Sequence, residues 1–156
     1  MSKIAQKEDY VLAFNQFLEK KQLRKTAERA AMLQRILAFD KHFTIEDIIS
    51  HTKPAISRAT AYNMLTLMLQ ARLLVKHHFP DTIEYELAGR PRHSHQICTT
   101  CGKIKEVRDT QLITTLNTRK YTAFNLSHLA IYLYGECSTC ARRRKKLTNK
   151  PDYNES

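Results

Sequence analysis

The chain has 156 residues, a net charge of +11 and an isoelectric point near 9.7. That length allows one large domain or two small ones, and no apolar run approaches the roughly 20 residues that crossing a bilayer requires, so no membrane partner is expected. The basic balance points towards a polyanion, although part of it sits in the run Arg142-Arg-Arg-Lys-Lys146, which reads equally as a solvated end.

In chain order, Val11, Phe14 and Leu18, then Leu33, Ile36 and Leu37, recur at helical spacing. Thr44-Ile-Glu-Asp47 has the form of a capping box, with a hydroxyl at the N-cap and a carboxylate three residues on. Ile45, Ile48 and Ile49 give that short helix an inward face. His51-Thr-Lys-Pro-Ala-Ile56 breaks it, and Ser57 can cap the next helix. There, Leu65, Met68, Leu69 and Leu73 face inward, while Arg58, Ala59, Tyr62, Asn63 and Thr66 fall on the other side. Two helices with a short turn and such an outward face suit a DNA-binding helix-turn-helix; a generic helical bundle is the plainer alternative. Leu74–Phe79 and Ile83–Leu87, around Pro80-Asp81-Thr82, read as a hairpin, the wing of a winged helix.

His93 and His95 stand two apart. In a strand, alternate residues share a face, so both imidazoles point one way and Arg92 and Ser94 the other. The pair reads either as half of a metal site or as chance. Cys98-x-x-Cys101 and Cys137-x-x-Cys140 use every cysteine of the chain. Each pair puts two thiolates within about 4 Å of each other, and two pairs close a tetrahedral cage that suits Zn²⁺ and leaves no open position for chemistry. Two disulfides or two redox pairs are the alternatives. Disulfides suit an exported protein, but the N-terminus lacks the apolar core of a signal peptide, so a reduced, cytoplasmic setting is expected. Gly102–Val107 reads as a strand, Thr110–Lys120 as a helix, and Leu129–Tyr134 alternate as a last strand. One helix on three strands buries little surface, so pairing across a two-fold axis is expected. The fold class expected is α+β: a winged helix-turn-helix domain over residues 1–88, a small α/β dimerisation and metal-binding domain over 89–146, and a disordered tail over 147–156.

An ordered set of pieces then carries a resemblance. It runs through Leu23-Arg-Lys-Thr26 with Arg29, His42-Phe-Thr-Ile-Glu-Asp47, Ala59-Thr-Ala-Tyr62 and Tyr85-Glu-Leu87. It continues with His93-Ser-His95, Cys98-Thr-Thr-Cys101-Gly102 and Tyr132-Leu-Tyr-Gly135 leading into the second cysteine pair. Across roughly residues 10–142 the chain resembles the ferric uptake regulator family of metal-responsive repressors. The resemblance implies a homodimer on double-stranded operator DNA, no enzymatic activity and no small-molecule substrate. It implies structural Zn²⁺ on Cys98, Cys101, Cys137 and Cys140. It places a regulatory cation on His42, Glu86, His93, His95 and Glu106, with Fe²⁺ or Mn²⁺ in the cell and Zn²⁺ able to enter in vitro. Imidazole and carboxylate donors suit those ions. The implied DNA contacts are Arg24, Lys25, Arg58, Thr60, Tyr62 and Asn63, with Tyr62 reading a base and the cations mostly meeting phosphate.

The chain also departs from the family pattern. Arg92, Ser94, Ile113 and Leu129 stand where many iron sensors carry a further metal site, so that site is expected to be lost. All four cysteines go to the cage, leaving no thiolate for the sensing site that zinc-responsive relatives use. Glu86 and Glu106 stand where peroxide sensors typically have aspartates, and Asn63 stands where an arginine usually follows the tyrosine. Three alternatives remain: a peroxide- or manganese-responsive regulator of the same family, a constitutive nucleic-acid binder with structural zinc only, and a zinc hydrolase built on His42, His93, His95 and Glu86. The last leaves little room for substrate and has no evident base.

Overall fold

The structure is a computed structural model that describes residues 3–51, 56–90, 92–126 and 128–148. The chain divides between Arg90 and Pro91 into two compact units. No helix among the described residues is long and apolar enough to cross a membrane.

Among its described residues the first unit has four helices and a hairpin: α1 (Lys3–Lys20), α2 (Ala27–Ile36), α3 (Ile45–Ser50), α4 (Arg58–Gln70), β1 (Leu74–His78) and β2 (Ile83–Leu87). Helical apolar spacing becomes one core, in which Phe14, Leu18, Leu33, Ile36, Leu37, Ile48, Leu65 and Met68 are buried together. Side-chain caps start the helices. Thr26 accepts from the amide of Arg29, and Ser57 accepts from that of Thr60 at 3.0 Å. The capping box forms as expected: Thr44 Oγ1 accepts from Asp47 N at 3.1 Å, and Asp47 Oδ2 accepts from Thr44 N at 2.8 Å. Helices α1 and α4 end without glycine, on Gln22 (φ 55°) and Arg72 (φ 58°) in the left-handed region. The next amide then reaches back, Leu23 N to Leu18 O at 2.8 Å and Leu73 N to Met68 O at 2.9 Å. Of the segment expected to break α3, residues 52–55 lie outside the described set; His51 is the C-cap of α3.

The expected hairpin forms, and its register sets His77 opposite Glu84 and Val75 opposite Glu86. Its core face carries Leu74 and Tyr85, and a short bridge from Phe43 to Tyr85 extends the sheet by one residue. Two backbone bonds make that bridge, Phe43 N to Tyr85 O at 2.9 Å and Tyr85 N to Phe43 O at 2.8 Å. Beyond β2 the chain turns at Gly89 (φ +88°), where a Cβ would meet the Tyr10 hydroxyl at 3.4 Å, and that hydroxyl donates to Ala88 O.

The second unit has β3 (Ser94–Cys98), β4 (Ile104–Val107), α5 (Thr110–Thr118), β5 (Ile131–Gly135) and α6 (Ser138–Thr148). Its sheet runs β4-β3-β5, with β3 antiparallel to β4 and parallel to β5. The last strand starts two residues later than alternation placed it. The basic run is solvated, and it is also ordered. It lies in α6, where good helix formers follow Cys140, and it stays exposed there, with Arg144 Nη2 3.1 Å from Glu136 Oε2. Helix α5 has no fully buried residue, while Leu133 and Tyr134 on β5 are exposed. Residues 149–156 of the expected tail lie outside the described set.

Candidate metal centres and nucleic-acid interface

The four cysteines converge. Cys98 ends β3, Cys101 follows one turn later, and Cys137 and Cys140 bracket the start of α6. All four are free thiols, and their sulfurs lie within 4.8 Å of one another. A tetrahedron with Zn–S bonds of about 2.3 Å sets sulfur–sulfur separations of about 3.8 Å. Cys101 Sγ and Cys137 Sγ are 3.9 Å apart, so the donor set fits that ion. The cage is electrostatically divided. The Cys98 thiol is drawn down to about 6, mostly by the Cys137 amide, which donates to its sulfur at 3.3 Å. Cys140 is pushed up to about 12, first by its hydrogen bond with Cys137. Without a cation the cluster accommodates negative charge on one sulfur far more readily than on four; a divalent ion reverses that balance.

Among the described residues, each unit also holds further potential donors. In the second unit, β3 alternates as expected: Ser94 turns its hydroxyl to Val107 O at 3.1 Å, while His93 and His95 share the other face with ring centroids 4.7 Å apart. Glu106 lies directly across from His95 in the β3–β4 register, 3.9 Å from His93 Nε2, and Tyr132 stacks on His95 at 5.4 Å. Both imidazoles are buried.

In the first unit, the Phe43–Tyr85 bridge carries His42 onto the polar face of the wing. Its Nε2 is 3.4 Å from Glu86 Oε2, and its Nδ1 is 3.2 Å from Glu84 Oε2. Glu86 also accepts from Arg90 Nη1 at 3.1 Å. Two participants were missed by the sequence reading. Glu84 holds His42, and His77 Nε2 lies 2.9 Å from Glu86 Oε1. A signal for both was present, since period-two alternation in a hairpin with this turn puts His77, Glu84 and Glu86 on one face.

The outward face of α4 is exposed, with Tyr62 46% accessible and Asn63 beside it; Thr60 is half-buried and its hydroxyl meets that of Ser57 at 2.9 Å. Arg58 is tied to Glu46 of α3 at 2.8 Å, and that contact raises its already high pKa. Arg24 and Lys25 are exposed on the loop before α2. There the carbonyl of Arg24 accepts from Arg29, and Lys25 pairs with Glu19.

Comparison with known proteins gives the family. The model of the ferric uptake regulator family matches residues 20–134, a span that includes the capping box, α4, the wing, the histidine strand and the first cysteine pair. The ferric uptake regulation protein of Campylobacter jejuni is 31% identical over 146 residues, covering 86% of this chain and 90% of its own. The peroxide-responsive repressor PerR of Staphylococcus saprophyticus is 30% identical over 122 residues, or 76% of this chain and 82% of that one. The structure of the Helicobacter pylori ferric uptake regulator, described as having three functional metal-binding sites, has the same fold, with a TM-score of 0.67 at 23% identity over 86% of this chain and 93% of that one. A cage of four thiolates, buried imidazole and carboxylate donors and an exposed helix after a capped turn are what such a regulator needs, and this chain belongs to the ferric uptake regulator family of metal-responsive transcription regulators.

Proposed function

We propose that this protein is an iron-responsive repressor that binds operator DNA as a homodimer when a regulatory cation is loaded. The observation that carries this reading is Glu86, a buried carboxylate on the wing of the helix-turn-helix unit that shares its oxygens among imidazole and guanidinium groups. A buried carboxylate so placed is a ready cation ligand, because a divalent ion can replace the charges that now balance it. In this reading His42 and Glu86 act with His93, His95 and Glu106 on one regulatory ion, so loading fixes one unit against the other. Two recognition helices of a dimer then reach successive major grooves. Fe²⁺ suits the nitrogen and oxygen donors, Mn²⁺ is the nearest substitute, and Zn²⁺ enters in vitro. The cysteine cage takes structural Zn²⁺. The half-covered α5 and the exposed Leu133 and Tyr134 support dimer formation through the second unit. The cytoplasm, where thiols stay reduced and DNA is at hand, is the setting.

The test is an anaerobic DNA titration of protein carrying zinc only, with and without Fe²⁺ or Mn²⁺. Cation should tighten operator binding roughly 5- to 150-fold, and by linkage the operator should tighten cation by the same factor. His93→Ala should stay folded and zinc-loaded while losing that stimulation. Equal affinity with and without cation in the wild type would leave a constitutive DNA binder. A peroxide response is the second reading, favoured by the identity with the staphylococcal repressor. Peroxide treatment of the iron-loaded protein that abolished operator binding irreversibly would select it.

A further inference from the structure

His77 is 1% exposed, and an imidazole held that far from water costs several kcal/mol unless its nitrogens are engaged. Its surroundings form a set contained within the first unit. Glu86 presents Oε1 to His77 Nε2 at 2.9 Å and Oε2 to His42 Nε2 at 3.4 Å. One ligand atom from each of His42, His77 and Glu86 lies within 4.8 Å of the other two. A cation with bonds of about 2.1 Å needs its donors about 3.0–3.4 Å apart, between octahedral and tetrahedral limits. Both carboxylate–imidazole edges are already close to that. Glu84 sits at His42 Nδ1, which leaves Nε2 facing Glu86, the arrangement by which an outer carboxylate orients a ligating histidine. Phe79 stacks on both imidazoles, 5.9 Å from His42 and 5.7 Å from His77 between centroids, and walls the donors with an apolar ring.

We propose that His77 is a metal ligand, and that His42, His77 and Glu86 form a divalent-cation site complete within the first unit. The proposal rests on the reading of a regulatory cation at His42 and Glu86, and it adds a donor to that set. Two imidazoles and one carboxylate leave coordination positions open, a donor set that suits Fe²⁺. Water fills those positions. The helix-turn-helix unit therefore captures the ion by itself.

The experiment uses the full-length, zinc-loaded chain with His93→Ala and His95→Ala combined, titrated with Co²⁺ without oxygen. One Co²⁺ per chain should bind beyond the zinc, with an affinity about 10- to 100-fold below wild type. Adding His77→Gln should remove that site or weaken it by at least a further factor of about 10. Ring-¹⁵N histidine spectra of the Co²⁺-loaded double variant give a readout that leaves His77 in place: two histidines should show strongly shifted signals. A double variant with no Co²⁺ site, an affinity unmoved by His77→Gln, or a single shifted histidine each overturns the proposal. Should His77→Gln fail to fold, the spectra decide. Failure of the regulatory reading looks different, because Co²⁺ would then occupy the three donors while wild-type DNA affinity stayed unchanged.

Discussion

Glu84 shows how a residue outside the proposed ligand set can act on one inside it. Its carboxylate at 3.2 Å from His42 Nδ1 fixes both the ring orientation and the nitrogen that faces Glu86. Glu84→Gln keeps the shape and removes the charge, so regulatory-cation affinity should fall about 10-fold or more, read by competition with a chromophoric chelator. An unchanged affinity would show that the bridge alone sets the ring. On the outer side, Tyr62 and Arg24 should separate specificity from affinity. Tyr62→Ala removes an exposed ring from α4 and should cut discrimination between operator and random DNA. Arg24→Ala should weaken both alike and reduce the slope of affinity against salt by about one unit. If Tyr62→Ala left operator preference intact, another helix would be doing the reading. Arg58 comes to such a contact already paired, so phosphate has to displace Glu46.

At the scale of elements, the capping box on α3 does more than start a helix. Thr44 follows Phe43, whose two bonds to Tyr85 carry His42 onto the wing, so a local helix signal is continuous with the site. Thr44→Ala should lower stability by about 1 kcal/mol, seen as a fall of several degrees in the thermal midpoint of the first unit, with zinc content unchanged. Period-two alternation explains both strands that carry the candidate donors. On β3 it separates Ser94 from the histidines, and on the hairpin it separates Leu74 and Tyr85, which face the core, from His77, Glu84 and Glu86. Legibility differed between them for a physical reason. In β3 the two histidines are adjacent in the period, whereas in the hairpin the face is shared across a turn and appears only once the register is fixed.

For the whole molecule, the two units are stabilised differently. The first has a continuous apolar core, whereas the second has few fully buried side chains among its described residues, Cys98 and Cys140 being two of them. Zinc held by the cage would thus add to the folding free energy of the second unit. With Cys140 at about 12, zinc loading at pH 7 has to displace its proton, and release of at least about one proton per ion is expected in a weakly buffered dye assay. Release of none would mean that the cage is already ionised. The two cysteines give opposite pH signs in the metal-free chain. The folded pKa of Cys98, about 6, lies below the usual thiol value near 8.5, so its contribution is full above 8.5 and lost as pH falls towards 6. The raised pKa of Cys140 contributes below 8.5 and is lost as pH climbs. Acidification also protonates thiolates, so zinc retention should fall as pH drops through 6.

The sequence by itself determined what depends on short spacing. The capping box, the Ser57 cap, the inward faces of the first unit's helices, the wing strands and the cysteine pairing into a cage all follow from residues a few positions apart. Their causes are local, in backbone caps, side-chain period and the reach of a C-x-x-C turn. Tertiary structure decided what depends on charges from distant segments. It brought His77 and Glu84 to His42 across a sequence gap of more than thirty residues, and it gave Arg58 of α4 to Glu46 of α3. Such pairings have no period, since a salt bridge or a shared carboxylate is set by where the backbone places two side chains, and only the packed chain fixes that distance.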